Sequence, residues 1–240
     1  MQVRAQASGG GLITTLPARR SPLNPATSIL VRSEMQAAGD FTTALSGGTV
    51  VFTSVGTYVN RYGFATASTG TGTTGRAAIC SQLQNQIAMG YGEVTFTAIL
   101  QTPSTLSDAT NRYAIIAGFN DLLTSILGTS AVLFRYRDNI NSGRWQLYTN
   151  VGSTGLTQSV DSGVTVAVST WYRLECRINA TASLAQFYIN KAYVGQIVGD
   201  IPIDPVVDVT GFLVQIVKSA GTLSRAVIVD YADFQMAVTR

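Results

Sequence analysis

Residues 171–197 read WYRLECRINATASLAQFYINKAYVGQI, and the alternation within them decides the fold class. Successive side chains of a strand point to opposite faces, so four apolar residues of the first eight share one face: Tyr172, Leu174, Cys176 and Ile178. Three charged residues share the other: Arg173, Glu175 and Arg177. The pattern predicts a strand with one face in a core and the other in water. The Arg-Glu-Arg row predicts a surface charge ladder, which discourages edge pairing.

The same rhythm continues along the chain. From about Ile29 onward, short runs rich in Val, Ile, Thr, Tyr and Phe alternate with loops such as SGG, STGTGTTG, NSG and SAG, giving about a dozen strands. Only NDLLTSILG, residues 120–128, carries helix signals, which predict a turn or two of helix. Because parallel strands need long crossovers, strands without helices between them must be mostly antiparallel. The sequence predicts an all-β, antiparallel two-sheet jelly-roll sandwich over residues 29–240.

The first 28 residues differ from the rest. They are rich in glycine, and SPLNP at 21–25 enforces extended backbone. Residues 1–35 hold four arginines against one glutamate, 4 − 1 = +3, which is the whole net charge of the chain. We therefore predict an extended N-terminal arm, 1–28, that orders only when it docks on an acidic protein surface; a solubilising tail without a partner is the alternative. The docking residues would be Leu12, Ile13, Leu16, Arg19 and Arg20.

Composition excludes several classes of protein. Charged residues make up only 12% of the chain, and a net charge of +3 is too small to indicate nucleic-acid binding. No apolar run approaches the roughly 18 residues of a membrane span, and the N-terminus lacks the apolar core of a signal peptide. We expect no nucleic-acid partner, no membrane partner and no export signal.

The two cysteines, Cys80 and Cys176, indicate structural roles. Cys176 lies in the apolar register of its strand, where a free thiol behaves as a small hydrophobe. A disulfide between the two is the alternative. The chain has neither a CxxC motif nor a histidine, so metal or redox chemistry at these thiols is not indicated.

Two segments carry a resemblance to a known family: TWYRLECRINATASLAQFYINKAYVGQIVGDIP, residues 170–202, and IVKSAGTLSRAVIVDYADF, residues 216–234. They resemble the laminin G type of the concanavalin A-like lectin/glucanase sandwich, and in particular small sandwich domains in structural proteins of tailed bacteriophages. In that group the hairpin commonly reads Tyr-x-Asn-Gly. Here Lys191 follows Asn190, which argues against a tight type I′ turn. The resemblance covers roughly residues 165–236 and specifies a fold better than an activity.

Catalytic residues are not indicated. Glucanases of this architecture carry Glu-x-Asp-x-x-Glu on one strand, placing their carboxylates on one face, and the chain has no such motif. Its three glutamates, Glu34, Glu93 and Glu175, are far apart in sequence. The absence of histidine removes the commonest general base and metal ligand. We predict a protein that is not an enzyme.

One loop offers a candidate ligand site. Legume-type and laminin G relatives often hold calcium with Asp and Asn and stack an aromatic ring on sugar. The corresponding residues around RDNINSGRW would be Asp138, Asn139, Asn141, Trp145 and Tyr148. The same residues also suit an ordinary hairpin turn, which we favour, with the Trp145 ring capping the core. We expect no metal or cofactor, with calcium as the alternative.

A second acidic segment is IVGDIPIDPVVD, residues 197–208, with aspartates at a spacing of four. A helix would gather Asp200, Asp204 and Asp208, but Pro202 and Pro205 prevent one. The segment predicts a rigid loop over the edge of the sandwich.

The resemblance implies a structural protein of a tailed-phage virion, assembled in the host cytoplasm. A capsid cement or decoration protein, attached through its arm and sandwich surface, is the leading expectation. A carbohydrate-binding tail fibre or tail appendage is the alternative, although the chain lacks shaft repeats and heptads. Expected partners are the major capsid protein or tail proteins and further copies of the chain, by family analogy a homotrimer; a host-surface glycan belongs to the alternative.

Overall fold

The structure is a computed structural model, and it describes residues 28–35, 41–53, 63–82, 85–121 and 128–237. The described residues form fifteen strands: β1 (Ser28–Ser33), β2 (Phe41–Ser46), β3 (Thr49–Thr53), β4 (Phe64–Ser68), β5 (Gly75–Ser81), β6 (Val94–Gln101), β7 (Tyr113–Asn120), β8 (Ala131–Arg137), β9 (Arg144–Val151), β10 (Leu156–Thr165), β11 (Trp171–Ile178), β12 (Leu184–Ile189), β13 (Ala192–Val198), β14 (Gly211–Lys218) and β15 (Ala226–Ala237). A single 3-10 turn, Asn141–Gly143, is the only helical element among them. None of the described helices is long and apolar enough to cross a membrane.

Two antiparallel sheets face each other. The eight-stranded sheet runs β13-β12-β11-β6-β15-β4-β3, with β1 also paired to β15. The seven-stranded sheet runs β10-β9-β8-β7-β14-β5-β2. The prediction of an all-β antiparallel jelly-roll sandwich is therefore confirmed.

The core lies between the inner faces of the two sheets. Its centre is a cluster of phenylalanine rings with centroids 5.5–5.9 Å apart, mostly edge to face: Phe96, Phe119, Phe212 and Phe234. All four side chains are fully buried. Removal of each side chain from water contributes about 1.5–3 kcal/mol, so these four residues are part of the apolar contact that holds the sheets together.

The alternation of β11 is as predicted. Its four apolar side chains are buried in the core, while Glu175 on the outer face is paired with Arg173 at 2.9 Å and with Arg177 at 2.6 Å. Burial in the core and charge on the outer face together fix the register of this strand, because a slip of one residue would reverse every side chain.

The turn between β12 and β13 corrects one expectation. Ile189 pairs with Ala192, so Asn190 and Lys191 alone make the turn, and both have positive φ, 52° and 71°. A two-residue turn with positive φ at both positions is the geometry that Lys191 was expected to prevent. Asn190 secures the turn, because its Oδ1 accepts a hydrogen bond from Arg173 N at 2.9 Å and its N donates to Arg173 O at 2.8 Å.

Both cysteines are free and buried, so the alternative of a disulfide does not hold. Cys176 lies in the core, whereas Cys80 belongs to a separate apolar cluster on the seven-stranded sheet. Burial raises the pKa of Cys80 to about 11 and that of Cys176 well above its usual value. Both therefore stay protonated at neutral pH and behave as small apolar side chains.

Two predictions fall on residues outside the described ranges. One is the short helical turn, of which residues 122–127 are not described. The other is the arm, with all five of its docking residues: Leu12, Ile13, Leu16, Arg19 and Arg20. Both stay predictions.

Candidate functional site

The loop with the predicted ligand residues forms a compact turn between β8 and β9. Asn141, Ser142 and Gly143 follow one another with positive φ, 50°, 53° and 73°. Asn and Gly adopt this geometry at low cost, and Asn139 beside them is exposed. The Asx and glycine residues thus shape a hairpin turn.

Asp138 is engaged within the fold. Its Oδ1 accepts a hydrogen bond from Ser107 Oγ at 2.6 Å, and its Oδ2 forms an ion pair with Arg112 at 3.3 Å. Ser107 Oγ in turn accepts from Tyr113 N at 3.0 Å. Asp138 therefore anchors the turn to the start of β7.

The two aromatic residues of this loop lie on opposite faces of β9. Trp145 is completely buried in the core, with its ring 5.6 Å from that of Tyr172. Tyr148 is 5% exposed on the other face, where the Arg135 guanidinium lies 4.4 Å from its ring centroid. Residues three apart in a strand cannot share a face. The structure does not bring Trp145 and Tyr148 together as a sugar-stacking surface.

Glu175, the most buried of the described glutamates, sits between two arginines. Burial alone would raise its pKa, but hydrogen bonds from Arg173 and Arg177 hold the pKa of Glu175 below its usual value. It therefore stays ionised at neutral pH and is a poor proton donor. Within the described ranges, no group of three or more His, Cys, Asp or Glu side chains is placed to hold a metal ion.

The acidic segment after β13 is held by Asp208, which is fully buried. Asp208 Oδ2 accepts from Ser153 Oγ at 2.7 Å, and Oδ1 accepts from Ser153 N at 2.9 Å and from Ser130 Oγ at 3.1 Å. Burial opposes ionisation, but these hydrogen bonds and one from Asp204 N hold the pKa of Asp208 below its usual value. The carboxylate fixes the segment to the turn between β9 and β10.

The other two aspartates of the segment shape its surface. Asp204 Oδ1 accepts from Val206 N at 2.8 Å and from Val207 N at 3.1 Å, which makes an Asx turn. Asp200 Oδ2 accepts from Gln158 Nε2 at 2.7 Å, linking the segment to β10. As predicted, the segment is a loop rather than a helix.

This loop, the start of β10 and the end of β13 present aliphatic side chains to solvent, and we call this set of side chains the apolar rim. Its members are between 52% and 81% exposed: Leu156, Val198, Ile203, Val206 and Val207. Two of them, Leu156 and Ile203, line a cavity of about 540 Å³, the end pocket, together with Ser153, Thr154, Asp200 and Asp204. Val206 and Val207 directly follow Pro205, which also lines this pocket. Exposed aliphatic side chains that lie close together are a feature of many interaction surfaces.

The surroundings of the apolar rim are acidic. Asp200 and Asp204 line the end pocket, whereas residues 151–170 and 184–210 contain a single basic residue, Lys191. Lys191 lies at the far end of β13, about 23 Å from Val198 at ~3.3 Å per residue. The site can therefore accept a partner that is apolar and basic.

The sequence predicted this loop, but it did not predict that aliphatic side chains would be exposed on and beside it. The spacing of the aspartates and the two prolines indicated a rigid loop, yet the contribution of Leu156 from another hairpin could not be read from the segment. The signal that was available is the run PVVD, residues 205–208, in which two adjacent valines follow a helix-breaking proline.

Comparison with known proteins identifies a family. The model of the SO2946-like C-terminal domain matches residues 60–230, well over half of the chain. The crystal structure of SO2946 from Shewanella oneidensis MR-1, a protein of unknown function, is similar with a TM-score of 0.60 and 13% identity, over 89% of each chain. The chain matches none of the curated protein sequences.

Two further structures share the architecture. The potassium-bound carbohydrate recognition domain of Emp46p has a TM-score of 0.53 at 10% identity, covering 81% of this chain and 88% of that one. The endo-1,3-beta-glucanase from Streptomyces sioyaensis has a TM-score of 0.53 at 11% identity, covering 91% and 100%. The resemblance to concanavalin A-like lectin and glucanase sandwiches is thereby confirmed as a fold. The fold occurs in both enzymes and lectins, so it does not assign an activity.

Proposed function

The chain belongs to the family of SO2946-like C-terminal domains, and we propose that it is a non-enzymatic structural module that joins protein chains through the apolar rim. The observation that carries the proposal is the exposure of five aliphatic side chains on the acidic segment and the adjoining ends of β10 and β13, beside an acidic pocket and on a segment that Asp208 holds in place. A rigid, partly apolar surface binds at a low entropic cost, because little has to be ordered on docking.

The partner segment we propose for the rim is the N-terminal arm of a second copy. Residues 12–20, LITTLPARR, combine three large aliphatic side chains with two arginines, which complements an apolar surface flanked by Asp200 and Asp204. Leu12, Ile13 and Leu16 would cover the rim, while Arg19 and Arg20 would face the carboxylates. Guanidinium groups pair well with carboxylates in such contacts.

One arm contact would be weak. Covering a half-exposed Val or Leu contributes about 1 kcal/mol, and ordering the arm offsets much of the sum. A closed ring of copies would strengthen the assembly, because each further contact forms at a high effective concentration. We therefore propose a homo-oligomer, with the trimer expected from the family analogy.

The biological setting that we propose is the virion of a tailed bacteriophage, where such a module would serve as a capsid cement or decoration protein. The support is the resemblance of residues 170–202 and 216–234 to sandwich domains of phage structural proteins. A protein that links neighbouring subunits needs an extended arm and a receiving surface, and this chain combines an arm-like sequence with the apolar rim.

The test is the mass of the full chain in solution, measured by light scattering after gel filtration. We expect the wild type to be oligomeric and the double variant Val206→Asp/Val207→Asp to be monomeric at the same concentration. Charge on these exposed residues should spare the fold while opposing an apolar contact.

Val51→Asp is the matched control, because Val51 is 56% exposed on β3, remote from the rim. It should keep the wild-type mass. A rim variant that also keeps the wild-type mass would refute the rim as the docking surface.

A further inference from the structure

A second cavity, of about 330 Å³, lies at the other end of the eight-stranded sheet from the apolar rim. Thr66, Ile228 and Gln101 form its floor, since they are paired across β4, β15 and β6 and share the outer face of the sheet. The loops after β6 and before β11 and β15 form its walls. We call this cavity the polar pocket.

Arg225 gives the polar pocket its charge. Its backbone is fixed by two hydrogen bonds with Thr69, at 2.9 and 3.1 Å. Its Nε is buried without a hydrogen-bond partner, and its guanidinium makes one weak contact, 3.5 Å from Ser224 O. In the part of the chain that the structure describes, Arg225 forms no ion pair, although the carboxylate of Asp108 is near enough to interact electrostatically.

Residues with hydroxyl groups line the same pocket as Arg225. Thr66, Ser104 and Ser169 line the pocket, and none of their side chains makes a hydrogen bond to another described residue. Ser169 is held in place by its backbone, since its N donates to Pro103 O at 3.0 Å. Pro103 and Ile228 add apolar surface between the polar groups. The pocket thus offers a cation, several free hydroxyls and a small apolar floor.

From this arrangement we infer that the polar pocket binds a single carboxylated sugar unit, such as a uronic acid. The Arg225 guanidinium would receive the carboxylate, for which its planar fork is suited. Thr66, Ser104 and Ser169 would exchange hydrogen bonds with ring hydroxyls, and Ile228 would contact the C–H face of the ring. A volume of about 330 Å³ is at the small end of ligand pockets, which fits one ring rather than an oligosaccharide.

This inference is independent of the apolar rim. If the protein binds carbohydrate, the alternative function considered above, the binding site would be the polar pocket rather than the β8–β9 turn. The same sugar chemistry could come from a free uronate or from the terminal unit of a glycan, and the two sources are separable by experiment.

Saturation-transfer NMR and calorimetry on the full chain test the site. We expect glucuronate or galacturonate to bind, with glucose at least about tenfold weaker, because a lost charge-assisted hydrogen bond is of that order. Arg225→Gln should weaken uronate binding at least about tenfold. Arg144→Gln, at an exposed ion pair with Asp161 on the other sheet, is the matched control and should bind as the wild type does.

A disaccharide ending in glucuronate separates the sources. Binding as tight as that of the free acid supports the site and indicates a glycan terminus, whereas binding of the free acid alone supports the site and indicates a small metabolite. Thr66→Val, a nearly isosteric change that leaves the charge in place, should also weaken uronate binding and covers the case in which Arg225→Gln misfolds.

Three results would overturn the inference. One is the absence of uronate binding at about 10 mM, where a site with a Kd of ~1 mM would be mostly occupied. Another is equal binding of uronate and glucose. The third is binding of inorganic phosphate as tight as that of uronate, which would mean an unspecific anion contact only.

Discussion

Lys191 shows that a residue with a Cβ atom can adopt the left-handed backbone conformation when the pairing of the flanking strands requires it. A left-handed conformation costs a residue with a Cβ atom about 1 kcal/mol or more, and Lys191 adopts it at φ 71°. The register between β12 and β13 leaves two residues for the turn, so Lys191 has no other conformation available. The strand pairing and the Asn190 hydrogen bonds offset the cost.

Replacing Lys191 with glycine should therefore stabilise the protein. We expect Lys191→Gly to increase the free energy of unfolding by about 0.5–1 kcal/mol, because the relief of the left-handed conformation exceeds the added entropy of the unfolded chain. Urea denaturation measures this. Ala192→Gly, at the adjoining strand position, is the control and should destabilise; an equal loss in both variants would contradict the account.

In the β8–β9 turn, some features could be predicted from single residues and others could not. The position of Trp145 after a turn glycine indicated a ring that caps the core, and its complete burial confirms this. The turn chemistry of Asn141 and Gly143 was also readable. The ion pair between Asp138 and Arg112 was not, because it depends on the register between β7 and β8, which the sequence between these strands does not determine.

At the scale of elements, the segment 199–210 shows how a loop without regular hydrogen bonding becomes rigid. Asp208 joins it to the β9–β10 turn through Ser153 and to the start of β8 through Ser130. Each hydrogen bond to a charged acceptor contributes about 1.5–3 kcal/mol. The ionised carboxylate therefore holds the rim in position.

Asp208 should make the stability of this loop depend on pH. Its pKa is lowered in the fold, so the stabilisation is present above the unfolded pKa of about 3.9 and is lost as pH falls through the folded value. Asp208→Asn should cost about 2 kcal/mol at pH 7 and flatten the decline in stability below about pH 4. Thermal unfolding between pH 2 and 7 measures both effects.

Asp161→Asn serves as the control for this measurement. The pKa of Asp161 is also lowered, by the Gly163 N–H and by Arg144, but the group is exposed and screened by water. We expect a change of about 0.5 kcal/mol or less. A decline in stability below pH 4 that is the same in Asp208→Asn and the wild type would refute the role of Asp208.

Strands could be predicted where consecutive residues alternate between apolar and polar. The alternation of residues 171–178 determined one strand and its buried face, and the scarcity of helix signals determined an antiparallel sandwich. The apolar rim was not predictable in this way, because Leu156 and Val198 come from hairpins on different sheets. The polar pocket likewise joins Thr66 of β4 to Arg225, which lies 159 residues further along the chain.

At the scale of the molecule, the two candidate surfaces lie at opposite ends of the sandwich. β11 runs from Trp171, beside the polar pocket, to Ile178 at the end that carries the rim. β1 begins with Ser28 opposite Ala237, also at the rim end. Ser28 is five strands from β13, about 24 Å at ~4.8 Å per strand. The arm thus enters the sandwich at the end where a neighbouring copy would dock.

The length of the arm allows contact with a second copy. Twenty-seven residues precede Ser28, and such a segment spans up to about 90 Å when extended. The rim side chains are exposed, and in the proposed arrangement the arm of a neighbouring copy covers them. One end of the sandwich therefore supplies both the arm and its receptor, which suits a ring or a lattice of copies.

Complementation between two defective full-length chains tests this arrangement. Leu12→Asp/Leu16→Asp disables the arm but keeps the rim, whereas Val206→Asp/Val207→Asp disables the rim but keeps the arm. Each variant alone should be monomeric. At a protein concentration high enough to populate a single arm contact, their mixture should form 1:1 complexes, because the intact arm of the rim variant can dock on the intact rim of the arm variant, while the reverse contact is lost. Native mass spectrometry resolves the species if one variant carries a heavy-isotope label.

Two outcomes would contradict the arrangement. Homo-oligomers of the arm variant would show that the sandwich associates without its arm. A mixture that stays monomeric under these conditions would contradict docking of the arm on the rim of a second copy.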